Sequence, residues 1–92
     1  MGERVDAGYV PARGPDVFTV ELDGEAVLLD EEAERLHVLN HTGALLWQLY
    51  DGRGSLGELA DEVATELDLD RREVLDAIVA ITKQLADEGL LA

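Results

Sequence analysis

At Asn40 the apolar residues of this chain change period, and the switch divides it into a strand half and a helix half. Before it, Val17 to Leu22 alternates, placing Phe18, Val20 and Leu22 on one face of an extended strand. Asp23-Gly24 supplies the positive φ of a tight hairpin turn. Ala26 to Leu29 is the return strand, and its unbroken apolar run predicts cover on both faces. After the polar turn Asp30 to Ala33, a third strand runs from Arg35 to Leu39. Three short strands in series form an antiparallel meander.

After the switch, apolar spacing is helical. Asn40 is an N-cap for a short helix built on Leu45, Leu46 and Leu49, with Trp47 and Tyr50 alongside. Asp51-Gly52-Arg53-Gly54 stops it. Ser55 and Glu58 form a capping box for a second helix with Leu56, Leu59, Val63 and Leu67 inward. Asp70 and Glu73 open a third helix that runs to about Glu88, with Gly89 as its stop. Leu90-Leu91 is expected to fold back onto the core. The order βββααα predicts an α+β domain of winged helix-turn-helix type, because the last two helices are joined by only a few residues around Asp68. That domain is expected over residues 16–92. Residues 1–15, with Gly2, Gly8, Pro11, Gly14 and Pro15 and no apolar period, read as a flexible tail.

Charge narrows the function. The chain has 21 acidic and 7 basic side chains, a formal net charge of -14. Such a surface opposes nucleic acid, whose binding needs Lys and Arg at phosphates, and it opposes anionic membranes. The second helix holds no basic residue, and the third sets Arg71, Arg72 and Lys83 among acids, so a DNA-recognition role is disfavoured. There is no Cys, which removes disulfides and thiolate chemistry. No apolar run reaches the ~20 residues of a membrane span, and no signal peptide is visible. Gly2 lacks the Ser or Thr at position 6 that myristoylation expects. A cytoplasmic protein is the expectation. At 47% hydrophobic residues the chain is too apolar for acid-driven disorder, and 4% aromatics imply an aliphatic core.

Catalytic groups do not converge. His37 and His41 are four apart but straddle a strand end and a helix cap, so no shared metal is expected. Asp51-Gly52-Arg53-Gly54 reads as a helix stop rather than a phosphate cradle. Neither catalysis nor a cofactor is predicted. Gly54-Ser55-Leu56 has some look of an acyl or peptidyl carrier, with phosphopantetheine on Ser55, but carriers place Asp before that Ser and a long helix upstream.

Two surfaces look made for binding. On the third helix Val74, Ile78, Ile81 and Leu85 form the core face. Leu75, Val79, Thr82 and Ala86 make a second strip, bordered by Arg72 and Lys83, which reads either as the wide buried face of a small domain or as a groove wall with a basic rim. The third strand lies at the meander's edge with no Pro or Lys to disguise it. It sets Leu36 and Val38 on one face and His37 and Leu39 on the other, and an extended peptide can add there as a further strand.

Ala26-Val27-Leu28-Leu29-Asp30, Leu36 through Ala44, and Leu49-Tyr50-Asp51-Gly52 resemble the PqqD-like proteins, whose fold is also called the RiPP recognition element. Ser55 through Leu59, the acidic loop near Asp68 and Leu85 through Leu91 extend the resemblance over about residues 17–92. Its most specific part is Leu39-Asn40-x-Thr42-Gly43 followed by Asp51-Gly52. The resemblance implies a non-catalytic adaptor that binds the leader of a ribosomally made precursor peptide and presents it to modifying enzymes. It implies that the leader pairs with Arg35, Leu36, His37, Val38 and Leu39 and lies against Arg72, Leu75, Val79 and Lys83. Implied enzyme partners are a leader peptidase or a radical SAM enzyme, in a lasso-type, quinone-cofactor or other pathway. A monomer is the default, and the open strand edge also permits a strand-mediated dimer.

Overall fold

One antiparallel sheet holds all three strands in the order β1-β2-β3: β1 Val17–Leu22, β2 Glu25–Asp30 and β3 Arg35–Leu39. It is seen in a computed structural model that describes residues 4–92. Asp23 and Gly24, both at positive φ, close the first hairpin in the two-residue form whose twist matches its strands. Glu34, also at positive φ, closes the second. The helices follow as α1 His41–Leu49, α2 Leu56–Leu67 and α3 Arg71–Asp87. The predicted βββααα order is therefore the fold. Asn40, Ser55 and Asp70 each cap a helix through the side chain, and Ser55 with Glu58 completes a capping box.

The core lies between the sheet's inner face and the three helices. Ala26 and Leu28 of β2 point into it, meeting Leu46, Trp47, Tyr50, Leu56, Ile78 and Leu85. Trp47 donates its indole N–H to Thr19 Oγ1 at 2.9 Å, and its ring meets Tyr50 edge-on with centroids 5.9 Å apart. Tyr50 in turn reaches α3, its hydroxyl 2.7 Å from Thr82 Oγ1. Thr82 is fully buried, so it belongs to the core face rather than to the second strip. Ile81, expected inside, is only half-buried. On α2 the inward stripe is Leu56, Leu59, Ala60 and Ala64, while Leu67, the last residue of the helix, is exposed. The expected cover on both faces of β2 is also absent among the described residues: the outer face, with Val27 and Leu29, has no layer upon it.

The segment read as a tail is laid down along the start of α2 and the chain's end. Residues 1–3, Gly2 among them, lie outside the described residues. The carbonyls of Tyr9 and Ala7 accept the N–H groups of Leu56 and Gly57 at 2.9 and 2.8 Å. With Ser55 taking the N–H of Glu58, the orphan donors of the first turn of α2 are satisfied. Pro11 is fully buried, and Val5 and Tyr9 pack against the core. Gly14 donates to Leu90, Ala92 donates to Ala12, and Arg13 bridges Leu91. These are mostly backbone contacts, which leave no apolar period in a sequence. Leu90 is buried, as its fold-back requires.

Burial pushes the Tyr50 hydroxyl up to about 12 from 10.0, against the lowering effect of the bond to Thr82. The folded value lies above the unfolded one, so this stabilisation is intact below pH ~10 and fades as pH rises toward 12. Urea unfolding should therefore show a midpoint that falls across that window. Tyr50→Phe should remove Tyr50's share of the fall and cost about 1 kcal/mol at neutral pH.

Candidate functional site

Because the sheet ends at β3, the backbone of Arg35–Leu39 has a partner strand on one side only. Along this strand and against α3 runs a groove of about 650 Å³. Leu36, His37, Val38 and Leu39 form its strand wall, and Ile81, Gln84, Leu85 and Glu88 form its helix wall. Asn40, Thr42 and Gly43 close the end where β3 passes into α1. His37 Nδ1 lies 2.8 Å from Glu88 Oε2, tying the two walls together. The other ring nitrogen is buried without a hydrogen-bond partner among the described residues, so Glu88 alone orients the imidazole. No Lys or Arg lines the groove.

The groove lies on the other flank of α3 from the one expected. At ~100° per residue, Ile81, Gln84 and Glu88 fall on one side of the Val74–Ile78–Leu85 core face, and Arg72, Leu75, Val79 and Lys83 fall on the other. That second flank turns toward the N-terminal segment: Leu75 and Val79 are half-buried against the core, and Lys83 borders a separate cavity with Val5, Tyr9 and Leu91. Arg72 is exposed. The β3 residues and the Arg72–Lys83 strip are thus not brought together. Periodicity cannot tell one flank of a stripe from the other. The missed signal was Val5 and Tyr9, which pack on the core and line a cavity beside Lys83 and Ala86 on that flank, whereas Ile81, Gln84 and Glu88 line the groove along β3.

The other candidate residues have local duties. His41 Nδ1 lies 3.2 Å from the carbonyl of Gly24, away from the His37–Glu88 pair. Asp51 accepts the N–H groups of Gly54 and Arg53, which hold its carboxyl below the usual carboxylate range. Those amides point at their own carboxylate, so the loop is a helix stop. Ser55 Oγ accepts the Glu58 N–H and donates to the Glu58 carboxylate. Among the described residues no group of three or more His, Cys, Asp or Glu is placed to hold a metal, and no helix is long and apolar enough to cross a membrane.

Comparison with known proteins bears on this arrangement. The family described as "Coenzyme PQQ synthesis protein D (PqqD)" matches residues 25–91. A "PqqA binding protein" from Xanthomonas campestris pv. campestris is 36% identical over 58 residues, which span 63% of this chain and 63% of that relative's length. Among solved structures, TbiB1 in complex with the TbiA(beta) leader peptide superposes with a TM-score of 0.78 at 25% identity, over 87% of this chain and 93% of that one. The PqqD truncation of Methylobacterium extorquens PqqCD, a stand-alone RiPP recognition element, superposes at 0.82 with 22% identity, over 97% and 95% of the two chains.

The Leu39-Asn40-x-Thr42-Gly43 run has a clear structural task at the groove's closed end. Asn40 Oδ1 accepts the Gly43 N–H at 2.9 Å and turns the chain from β3 into α1. A Cβ on Gly43 would sit 3.4 Å from both Asn40 Oδ1 and Leu39 Cβ, a tight fit that favours glycine. Asn40→Ala should lower stability by about 1 kcal/mol, read from denaturant midpoints. An unchanged midpoint would show that the cap does not hold this junction.

Proposed function

The chain belongs to the PqqD family, and on that premise we propose that it is a non-catalytic adaptor for the leader segment of a ribosomally made precursor peptide. The observation that carries this reading is the unpaired edge of β3 facing a groove whose far wall is α3. A leader entering as an antiparallel strand would satisfy the free N–H and C=O groups of Arg35–Leu39. Its alternate side chains would then point into the groove toward Leu39, Ile81 and Leu85. The backbone bonds give affinity and the groove gives register. Together they must exceed the ordering entropy of a disordered segment.

The groove also says what kind of leader fits. Among the described residues Glu88 is its one carboxylate, His37 is already paired with it, and no Lys or Arg lines the walls. A leader whose groove-facing residues are apolar or basic suits it, and acids there would meet only negative charge. Arg72 and Lys83 are not offered as leader contacts, since they sit on the opposite flank. TbiB1, matched above, was solved in complex with a leader peptide, which supports leader binding. Presentation of the bound leader to a modifying enzyme, such as a leader peptidase or a radical SAM enzyme, in a lasso-type or related pathway, completes the proposed role.

Titration of the protein with a labelled synthetic leader, read by fluorescence anisotropy, tests this. Val38→Pro should weaken binding by about 100-fold or more, with the helical circular dichroism retained, because Pro breaks the edge strand's pairing. Normal binding by that folded variant would defeat strand addition. Ile81→Glu should cost about tenfold or more by placing an unpaired charge in the groove. Lys83→Glu should leave affinity within about twofold of the original, as expected of a surface change away from the site. The reverse ranking would move the site to the other flank.

A further inference from the structure

The outer face of the sheet is apolar from edge to edge, and no element among the described residues covers it. Register places Phe18, Leu29 and Leu36 in one cross-strand row and Val20, Val27 and Val38 in the next. Phe18, Val20, Leu36 and Val38 are 52%, 54%, 69% and 71% exposed. On the inner face the same strands carry Thr19, Ala26, Leu28, His37 and Leu39, which are engaged with the helices or the groove. A contiguous apolar patch of this kind marks an interaction surface. Its two ends are acidic. Asp23 and Glu25 lie at the first hairpin, and Glu31, Glu32 and Glu34 at the second, all exposed.

That pattern selects the occupant. A second copy laid face to face with its strands aligned, parallel or antiparallel, would set acidic ends against acidic ends, and any packing of two copies brings together molecules of net charge -14. A partner with an apolar centre flanked by Lys and Arg meets both features. Geometry also ties this face to the leader, in a step that rests on the strand-addition reading. Side chains of a strand alternate between the two faces of its sheet. A leader paired with β3 therefore sends every second side chain into the groove and the others outward beside Leu36 and Val38. We infer that the outer face of the sheet is the docking surface for the modifying enzyme, a protein with an apolar, basic-rimmed patch, and that the bound leader completes this surface as a fourth strand. The enzyme thereby reads the loaded adaptor in preference to the empty one.

The test uses the full chain, a synthetic leader, and as probes a purified leader peptidase and a purified radical SAM enzyme from the source organism. Phe18→Thr with Val20→Thr clears the centre of the face two strands away from the leader edge and keeps strand-forming residues. Circular dichroism and thermal midpoint check its fold, and Glu25→Lys, an exposed charge reversal at the rim, provides a second variant. The expected result is leader affinity within about twofold of the original for both variants. Enzyme affinity should fall by about tenfold or more in the Thr pair and by about threefold in Glu25→Lys at low salt. The unaltered protein should bind enzyme about tenfold more tightly with leader than without. Enzyme binding that ignores both variants would overturn the proposal. So would a concentration-dependent dimer in sedimentation that the Thr pair dissolves, because the face would then belong to a second copy. Equal enzyme affinity with and without a leader that demonstrably binds would overturn the fourth-strand part. A leader that fails to bind the unaltered protein would instead defeat the strand-addition reading, and the docking face would stand or fall on its dependence on Phe18 and Val20.

Discussion

Trp47 is the joint on which the two halves of this molecule meet. Its indole is buried beneath the sheet, bonded to Thr19 of β1, and set edge-on against Tyr50, whose hydroxyl reaches Thr82 on α3. One line of polar and aromatic contacts thus runs from the first strand through α1 to the last helix. Large aromatics contribute much of a small domain's burial, and their polar atoms fix orientation where aliphatic packing alone would allow sliding. In a chain with 4% aromatic residues, that fixing falls on very few side chains. It sets the position of α3 relative to β3, and the groove is the space left between them.

The rest of the structure serves to keep one strand edge open without letting the molecule loosen. The N-terminal segment packs beside the far flank of α3 and satisfies the first amides of α2. The C-terminal residues turn back onto the same segment. Glu88, beyond the last turn of α3, reaches His37 across the groove. An exposed edge is ordinarily a liability for a β-sheet protein. Here the strong negative charge of the surface discourages edge-to-edge association between copies, while the groove walls are mostly uncharged apart from Glu88.

Strand and helix order was legible in the sequence because each boundary is marked by local chemistry. The Asp23-Gly24 turn, the Asn40 cap, the Ser55–Glu58 box and Gly89 after α3 all act within a few residues of themselves. The edge position of β3 followed from the meander. What the sequence hid was set by contacts between distant segments. Whether Leu75 and Val79 or Ile81 and Gln84 face the groove depends on where Val5 and Tyr9 pack, and the backbone bonds that hold residues 7–14 leave no period to read. Thr82 looked like a flank residue because its burial depends on a hydroxyl 32 positions away. The unbroken apolar run of β2 promised two covered faces, and the second lacks its cover among the described residues, which turned a mistaken expectation into the clue for a docking surface.

The account stands on strand addition at β3, and amide hydrogen exchange with and without saturating leader probes it most directly. The account predicts new protection in Arg35–Leu39 and smaller changes along Ile81–Glu88, with Arg72–Lys83 unaltered. Protection confined to the Arg72–Lys83 flank, or leader binding with no change in β3, would contradict it.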